Sequence, residues 1–351
     1  MEVIRDNFYN KKVFITGHTG FKGSWLTFIL DQVGSYTKGF SLNPNTFPSL
    51  YNSLNFSEKH ESIISDIRDS ESLKNEIENF KPDFIFHLAA QPLVIESYMN
   101  PKDTFDINFN GTLNLLESIK HLDLKCSVII VTTDKVYYNE DYNIPFKEMD
   151  KLGGKDPYSA SKAATEILID SYLKSFFKDT KIHIATVRAG NVIGGGDWSD
   201  YRLIPDIVKS IFEREKLLVR NPKSTRPWQY VLEPLNGYLQ LAIALDKNEK
   251  QFQGSWNFGP VDGDNKSVEE LIKITKSLGF ELDVKYEKNE IQKEAKYLSL
   301  NIDKAKKHLN WKPKWNSTIA MNLTLLWYKD YYNGINPNSL IKNEIEKYYN
   351  S

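Results

Sequence analysis

Tyr158-Ser-Ala-Ser-Lys162 sets a phenol and an ammonium one helical turn apart, on one face if the segment is helical. A neighbouring cation favours the phenolate, so this pair is suited to taking a proton from a substrate hydroxyl near neutral pH. Upstream, Thr132-Thr133-Asp134-Lys135 brings together side chains that donate or accept protons. It comes directly after an apolar run over 127–131 whose β-branched residues read as a strand buried on both faces. An open parallel sheet exposes its ligand crevice at such a strand end. Either motif alone is weak, because Tyr-x-x-x-Lys arises by chance in many helices and polar residues cap most strands. A glycine fingerprint at 17–23 joins them to one kind of chemistry, the transfer of a hydride.

The groups need a particular order of elements to deliver them. A strand over 12–16 (KVFIT) runs into Gly17-His-Thr-Gly20-Phe-Lys-Gly23 and on into a helix over 24–33. This G-x-x-G-x-x-G spacing is looser than the usual G-x-G-x-x-G, but the physical demand is the same. Glycine permits a tight turn and brings backbone N–H groups against a pyrophosphate at a helix N-terminus, where the dipole favours anions. In that setting Lys162 can also bind the ribose hydroxyls of a cofactor. Strands over 36–40, 62–65 and 83–88 alternate with a helix over 69–80, as a doubly wound sheet requires. After the fourth strand, the small side chains of Ala89 and Ala90, followed by Gln91, would let a cofactor lie against the backbone, or would serve tight strand–helix packing.

A helix over 100–123 turns Asn108 toward the crevice, a helix over 158–177 starts beside Pro157, and a strand over 181–188 follows. Then the punctuation changes to a long glycine-rich loop, Gly190 to Trp198, which is a ligand-facing segment or a domain hinge. Helical stretches over 203–214, 232–245, 268–278 and 302–309 complete the chain. The fold class is α/β, a Rossmann-type doubly wound parallel sheet with a smaller C-terminal α/β domain.

Composition narrows the function classes. A chain of 351 residues is long for one core, which predicts two domains or a sizeable insertion. Lys+Arg 45 against Asp+Glu 46 leaves a net charge of -1, which offers no field for nucleic acid or an anionic membrane. Any phosphate must be bound locally. Cys126 stands alone and cannot close an internal disulfide, and the opening MEVIRDNFYNKK lacks the apolar core of a signal peptide. A reducing cytoplasm is the expected compartment, with no membrane span. The six histidines show no metal spacing, and His87 reads as an interior strand residue, so no metal is assigned.

GHTGFKG, HLAAQP, TTDK, DPYSASK and RAGNVIGGGDW together resemble the extended short-chain dehydrogenase/reductase family of nucleotide-sugar enzymes. Within it, LGGKDPYSASKAA, RLIPDIV, RNPKSTRPWQYVLEPLNGYL, WNFGP and EAKYLSLN are similar to the branch of 4,6-dehydratases that act on CDP-glucose. The similarity spans roughly residues 11–315. It implies an NAD-binding domain over 1–188 to which 230–258 returns, and a nucleotide-sugar domain from 189–229 and 259–351. It also implies a homodimer built through a four-helix bundle of the 100–123 and 158–177 helices and their copies.

Carried over residue by residue, the resemblance gives Tyr158 the proton of the sugar 4-hydroxyl as hydride leaves C4, with Lys162 tuning it and Thr133 bonding the same oxygen. Lys135 would then remove the C5 proton and Asp134 would protonate the departing 6-hydroxyl. Cofactor contacts fall on Gly17, Thr19, Gly20, Phe21, Lys22 and Gly23 of the turn, and on Asp66 and Ile67 at the adenine. The remaining ones are Leu88, Ala89, Ala90, Gln91, Asn108 and Thr132, together with Tyr158 and Lys162. The second strand ends without an acid for the ribose 2'-hydroxyl, so NAD rather than NADP rests on the resemblance. Substrate contacts fall on Asn191, Arg202, Leu203, Arg226 and Tyr297, where a guanidinium suits phosphate oxygens and a surface ion pair is the bland alternative for each Arg. The branch usually shows Lys-Cys-Tyr-Glu-Asn and an Arg near Ile95. Here Lys135-Val-Tyr-Tyr-Asn139 and Ile95-Glu96 stand on that sugar side, which leaves the hexose open. The rival readings are a nucleotide-sugar 4-epimerase or reductase on the same scaffold, and a catalytically silent NAD-binding sensor.

Overall fold

A computed structural model describes residues 1–142, 144–287 and 295–351, without the side chains of 248 and 249. Glu294, the first residue of the EAKYLSLN segment, lies outside the described residues. The apolar runs become the strands β1 (Lys12–Thr16), β2 (Tyr36–Ser41), β3 (His60–Ile64), β4 (Phe84–His87), β5 (Cys126–Val131), β6 (Ile182–Ala189) and β7 (Gly254–Phe258). They form one sheet in the order β7-β6-β5-β4-β1-β2-β3, and every neighbouring pair is parallel. The order reverses between β1 and β4, which opens a crevice at their carboxyl ends.

The period of two along each strand separates two cores. Val13, Ile15, Phe84, Phe86, Ile129 and Val131 point to the side of Trp25 and Ile29, while Phe14, Ile85, Val128 and Ile130 point to the side of Leu73, Leu115 and Ile169. Helices therefore cover both faces, and β5 and β6 are buried at every position.

Most predicted helices form with ends moved by a few residues. The 203–214 stretch closes at Phe212, because Arg214 adopts φ 61 and turns the chain away. The single helix expected over 100–123 is instead Pro101–Phe105, a π-turn at Asp106–Asn110, and Gly111–Ile119. The wide turn lets Asn108 reach across to a neighbouring segment, a tertiary contact that no local pattern announces.

The sequence pattern did not announce two C-terminal helices, Ser317–Tyr332 and Pro337–Asn350; the first braces the glycine-rich loop and the second packs against the first. The Tyr328 hydroxyl donates to the Asp197 carbonyl at 2.5 Å, and Trp198 packs its ring 6.0 Å from that of Trp327. From the other side the Trp25 indole donates to the Gly195 carbonyl at 3.0 Å. Three two-stranded sheets complete this half: Val192–Ile193 with Gln229–Tyr230, Leu217–Val219 with Val284–Tyr286, and Thr225–Arg226 with Lys266–Ser267. Among the described residues no helix is long and apolar enough to cross a membrane.

Candidate active site

The glycine turn is shaped for a pyrophosphate. Gly17 adopts φ +73, and a Cβ there would lie 2.6 Å from the Ala89 nitrogen; one on Gly23 would lie 2.0 Å from the Gly17 carbonyl oxygen. The helix that follows, Phe21–Gln32, starts at Gly20 with no side-chain cap and no acid in its first turn. Its amino end is thus left to an anion, which is the fit a dinucleotide requires. Asn108 holds the opposite wall, accepting from the Gln91 N–H at 2.9 Å and donating to the Gln91 carbonyl at 3.1 Å and to Ser161 Oγ at 2.9 Å. Both carboxylate oxygens of Asp66, expected at the adenine, accept from Arg68, whose guanidinium holds the carboxyl below the usual range. Thr19 bonds Ser41 Oγ at 2.9 Å and the Leu42 carbonyl at 2.8 Å, tying the turn to the end of β2.

Helix Pro157–Ser175 and the end of β5 bring the proton-transfer groups together. Asp156 caps the helix by accepting from the Ser159 N–H at 2.9 Å, which starts it with Tyr158 in the first turn. Tyr158 is buried, and desolvation pushes its phenol up to about 12; a hydrogen bond with Thr133 and the charge of Arg202 pull the other way. Among the charges acting on Tyr158, Asp134 raises the phenol further and Arg202 lowers it; burial lowers Lys162 to about 8, and its Nζ donates to the Val131 carbonyl at 3.3 Å. Thr133 Oγ1 donates to Asp134 Oδ1 at 3.0 Å, and Lys135 Nζ lies 3.5 Å from the same oxygen. Asp134 is fully buried and its Oδ2 has no partner among the described residues, so the carboxyl has one oxygen available for a further group.

A cavity of about 630 Å³ opens in front of these groups. Its walls include Lys22, Thr132, Thr133, Lys135, Tyr158, Asn191, Arg202, Leu203 and Arg226, so four of the five residues expected on the substrate side share one space with part of the proton-transfer group. Arg202 is both cavity wall and ion pair, its Nη1 lying 2.9 Å from Asp197 Oδ2. Arg226 is buried and spends Nη1 on the carbonyls of Thr225 (2.9 Å) and Ala295 (2.7 Å). Tyr297 does not line the cavity; its backbone bridges Thr225 and accepts from Asn139 Nδ2 at 2.7 Å. Lys135 and Arg226 also face a smaller cavity walled by Tyr138, Asn139, Gly153 and Lys155.

Lys22, expected among the cofactor contacts of the glycine turn, faces the cavity, where burial and the charges of Arg202 and Lys162 lower it to about 7. Sequence reasoning missed other groups. Asp206 lines the far end of the cavity and burial raises it to about 6. Glu166 and Arg188 form a buried ion pair behind the site, with Nε to Oε1 at 2.9 Å. Glu166 stands one turn beyond Lys162, a spacing that was available as a signal; its partners just after β5 and on β6 and β7 were not.

A sequence profile described as GDP-mannose 4,6 dehydratase matches residues 14–322. The CDP-glucose 4,6-dehydratase of Salmonella typhimurium is 42% identical over 99% of this chain and 98% of its own length. The human dTDP-D-glucose 4,6-dehydratase is 27% identical over 92% of this chain and 91% of its own. Among solved structures, the fold is shared with dTDP-glucose 4,6-dehydratase from Bacillus anthracis in complex with NAD, with TM-score 0.77, 22% identity and coverage of 93% of this chain and 99% of that one. It is shared equally with a Thermotoga maritima UDP-glucose 4-epimerase, with TM-score 0.80, 22% identity and coverage of 91% and 99%. With the profile running from the first strand into the Ser317–Tyr332 helix and a relative aligned nearly end to end, the chain belongs to the GDP-mannose 4,6-dehydratase family.

Proposed function

We propose that this protein is an NAD-dependent hydro-lyase that converts CDP-glucose to CDP-4-keto-6-deoxyglucose. The observation that carries the reading is the Asp134–Lys135 pair, 3.5 Å apart, with Lys135 lining the same cavity as Thr133 and Tyr158 and Asp134 buried directly behind it. Oxidation at C4 alone needs a group to take the hydroxyl proton, and Tyr158 serves for that. Elimination of water needs a second acid and base, which the Asp134 carboxyl and the Lys135 amine supply. The 42% identity with a CDP-glucose 4,6-dehydratase supports the choice of sugar nucleotide.

NAD, when bound, supplies a hydride acceptor for C4 and later a hydride donor for C6. Gly17, Gly20 and Gly23 with the Phe21–Gln32 N-terminus would hold its pyrophosphate. Tyr158, oriented by Thr133, takes the 4-hydroxyl proton. The C4 ketone acidifies the C5 proton, which passes to Lys135 as the C5–C6 double bond forms. The C6–O bond breaks as Asp134 protonates the leaving hydroxyl to water. When hydride returns to C6, a proton returns to C5. Arg202, Arg226 and Asn191 face the nucleotide diphosphate along the same cavity, and Leu203 packs beside it.

The expected result of incubating the purified protein with CDP-, UDP-, dTDP- and GDP-glucose is loss of water from the CDP sugar without steady accumulation of NADH, read by mass spectrometry and absorbance. Net NADH growing in step with product, or inversion at C4 without solvent exchange at C5, would reject the dehydratase cycle in favour of a reductase or an epimerase.

The same reading includes a cytoplasmic homodimer, with 1–188 and 230–258 as the cofactor domain and the remainder as the sugar-nucleotide domain. Phe105, Ile167 and Phe176, near the bundle-forming helices, are 36%, 61% and 48% exposed, which suits an isologous four-helix contact. Sedimentation at micromolar concentration should give a dimer, and Ile167→Glu should give monomers. A monomeric wild type would remove the bundle.

A further inference from the structure

We propose that Glu166 and Arg188 are positioning residues for this reaction: the pair keeps Lys162 in its ammonium form and clamps both ends of the Thr133-Asp134-Lys135 segment. The inference rests on the reading of Tyr158 and Lys162 as the hydride-transfer pair, and it assigns work to a buried cluster that the mechanism above leaves unused.

The geometry is closed on every side. Glu166 Oε1 accepts from Arg188 Nε at 2.9 Å and from Thr132 Oγ1 at 2.6 Å. Its Oε2 accepts from Arg188 Nη2 at 2.9 Å, Thr186 Oγ1 at 2.8 Å and Ser255 Oγ at 3.2 Å. Arg188 Nη1 donates to the Tyr137 hydroxyl and to the Glu148 carbonyl, both at 2.9 Å. Tyr137 donates in turn to Asn257 Oδ1 at 2.7 Å and stacks on Phe146 at 4.7 Å. Thr132 and Tyr137 flank the three catalytic residues, and one ion pair holds both of them. An isolated buried pair often adds little stability compared with an apolar filling, whereas it does impose one geometry. Here that geometry is the position of a catalytic loop.

The electrostatic half of the proposal concerns Lys162. The charged and titratable groups facing it are Glu166 and Tyr158 from its own helix, Lys22 from the fingerprint helix and His87 from β4. His87, fully buried between Thr16 and Thr112, is held neutral by a value lowered to about 3. Lys22 opposes the ammonium, and Glu166 is the group that favours it. Burial brings Lys162 down to about 8, so its charge is present below that pH and lost above it. Removing the Glu166 carboxylate moves the loss of charge to lower pH.

The test is Glu166→Gln, which keeps size and most hydrogen bonds but removes the charge, beside Glu166→Asp, which restores it. Single-turnover formation of bound NADH is followed against pH in the holoenzyme, and the Lys162 ammonium is titrated by ¹⁵N-lysine NMR in cofactor-free protein. Glu166→Gln should lower both the alkaline limb and the NMR titration by about one pH unit, a shift typical of losing one opposite charge nearby. Glu166→Asp should return both toward the wild type. Arg188→Lys, which keeps the charge but cannot span Glu166 and Tyr137 together, should slow water loss at least tenfold while leaving the Lys162 titration within a few tenths of a unit. A Glu166→Gln protein whose limb and titration match the wild type overturns the charge role. Full dehydration rate in Arg188→Lys overturns the clamp. A wild type that forms no NADH at all would instead sink the hydride-transfer reading on which the proposal rests.

Discussion

Lys135→Met should still reduce bound NAD on mixing with CDP-glucose but stall before water is lost. Methionine keeps the length of the side chain and deletes the amine that takes the C5 proton, so only the elimination step loses its base. Positioned acid–base groups typically contribute about 10²–10⁴-fold, and the whole of that defect should fall on one step. The 3.5 Å contact with Asp134 is lost in the same variant, so part of the defect reports the orientation of the acid. Two signals separate the outcomes: absorbance of enzyme-bound NADH should rise and persist, and the C5 proton should exchange into deuterated water far more slowly than in the wild type. Exchange at the wild-type rate would show that Lys135 positions the substrate and that another group is the base.

Tyr158→Phe should fail one step earlier. Its phenol is the proton-transfer group on the oxidation side, directly bonded to Thr133 and raised to about 12 by burial. With no oxygen at that position, the 4-hydroxyl has no acceptor and reduction of the cofactor should fall by about 10²–10⁴-fold or more. The pH dependence follows from the sign of the shift. A phenol held above its ordinary value is protonated throughout the neutral range in the cofactor-free protein, so oxidation should gain rate as pH rises until the alkaline limb that Lys162 sets near 8. Arg202→Met, which removes the cation that favours the phenolate, should move this rise to still higher pH. A Tyr158→Phe protein that forms bound NADH at the wild-type rate would mean that the proton leaves by another route. Because Tyr158→Phe keeps the ring that fills its buried position, its thermal stability should stay near that of the wild type.

Local patterns carried much of this. The strand–glycine turn–helix at the start of the chain was readable because its cause lies within a few residues. Only glycine tolerates φ +73 at Gly17 beside the Ala89 backbone, and only glycine fits the approach at Gly23. β5 was readable because burial on both faces favours an apolar run such as that over 128–131. Tyr158 and Lys162 were readable because one helical turn sets their spacing. The resemblance added the roles of Asp134 and Lys135, which no periodicity contains.

The partners were decided only in three dimensions. Lys162 is legible by its spacing from Tyr158, but its Nζ contact with the Val131 carbonyl and the charges of Asp134 and Arg202 on the phenol come from segments that only the fold brings together. The π-turn at Asp106–Asn110 follows from what Asn108 must reach, Gln91 and Ser161, and not from its own neighbours. Ser317–Tyr332 went unassigned because its buried face includes polar Ser317 and Thr324 while Ile319 and Leu326 stand apolar on the exposed side, which blurs the apolar stripe that marks a helix. Glu166 carries the same lesson in its charge. The sequence alone determines that a carboxylate follows Lys162 by one turn, but a carboxylate there is usually solvated. Its burial against Arg188, Thr132 and Thr186 depends on β5 and β6 pairing beside the helix, and that pairing turns a surface charge into a fixed one.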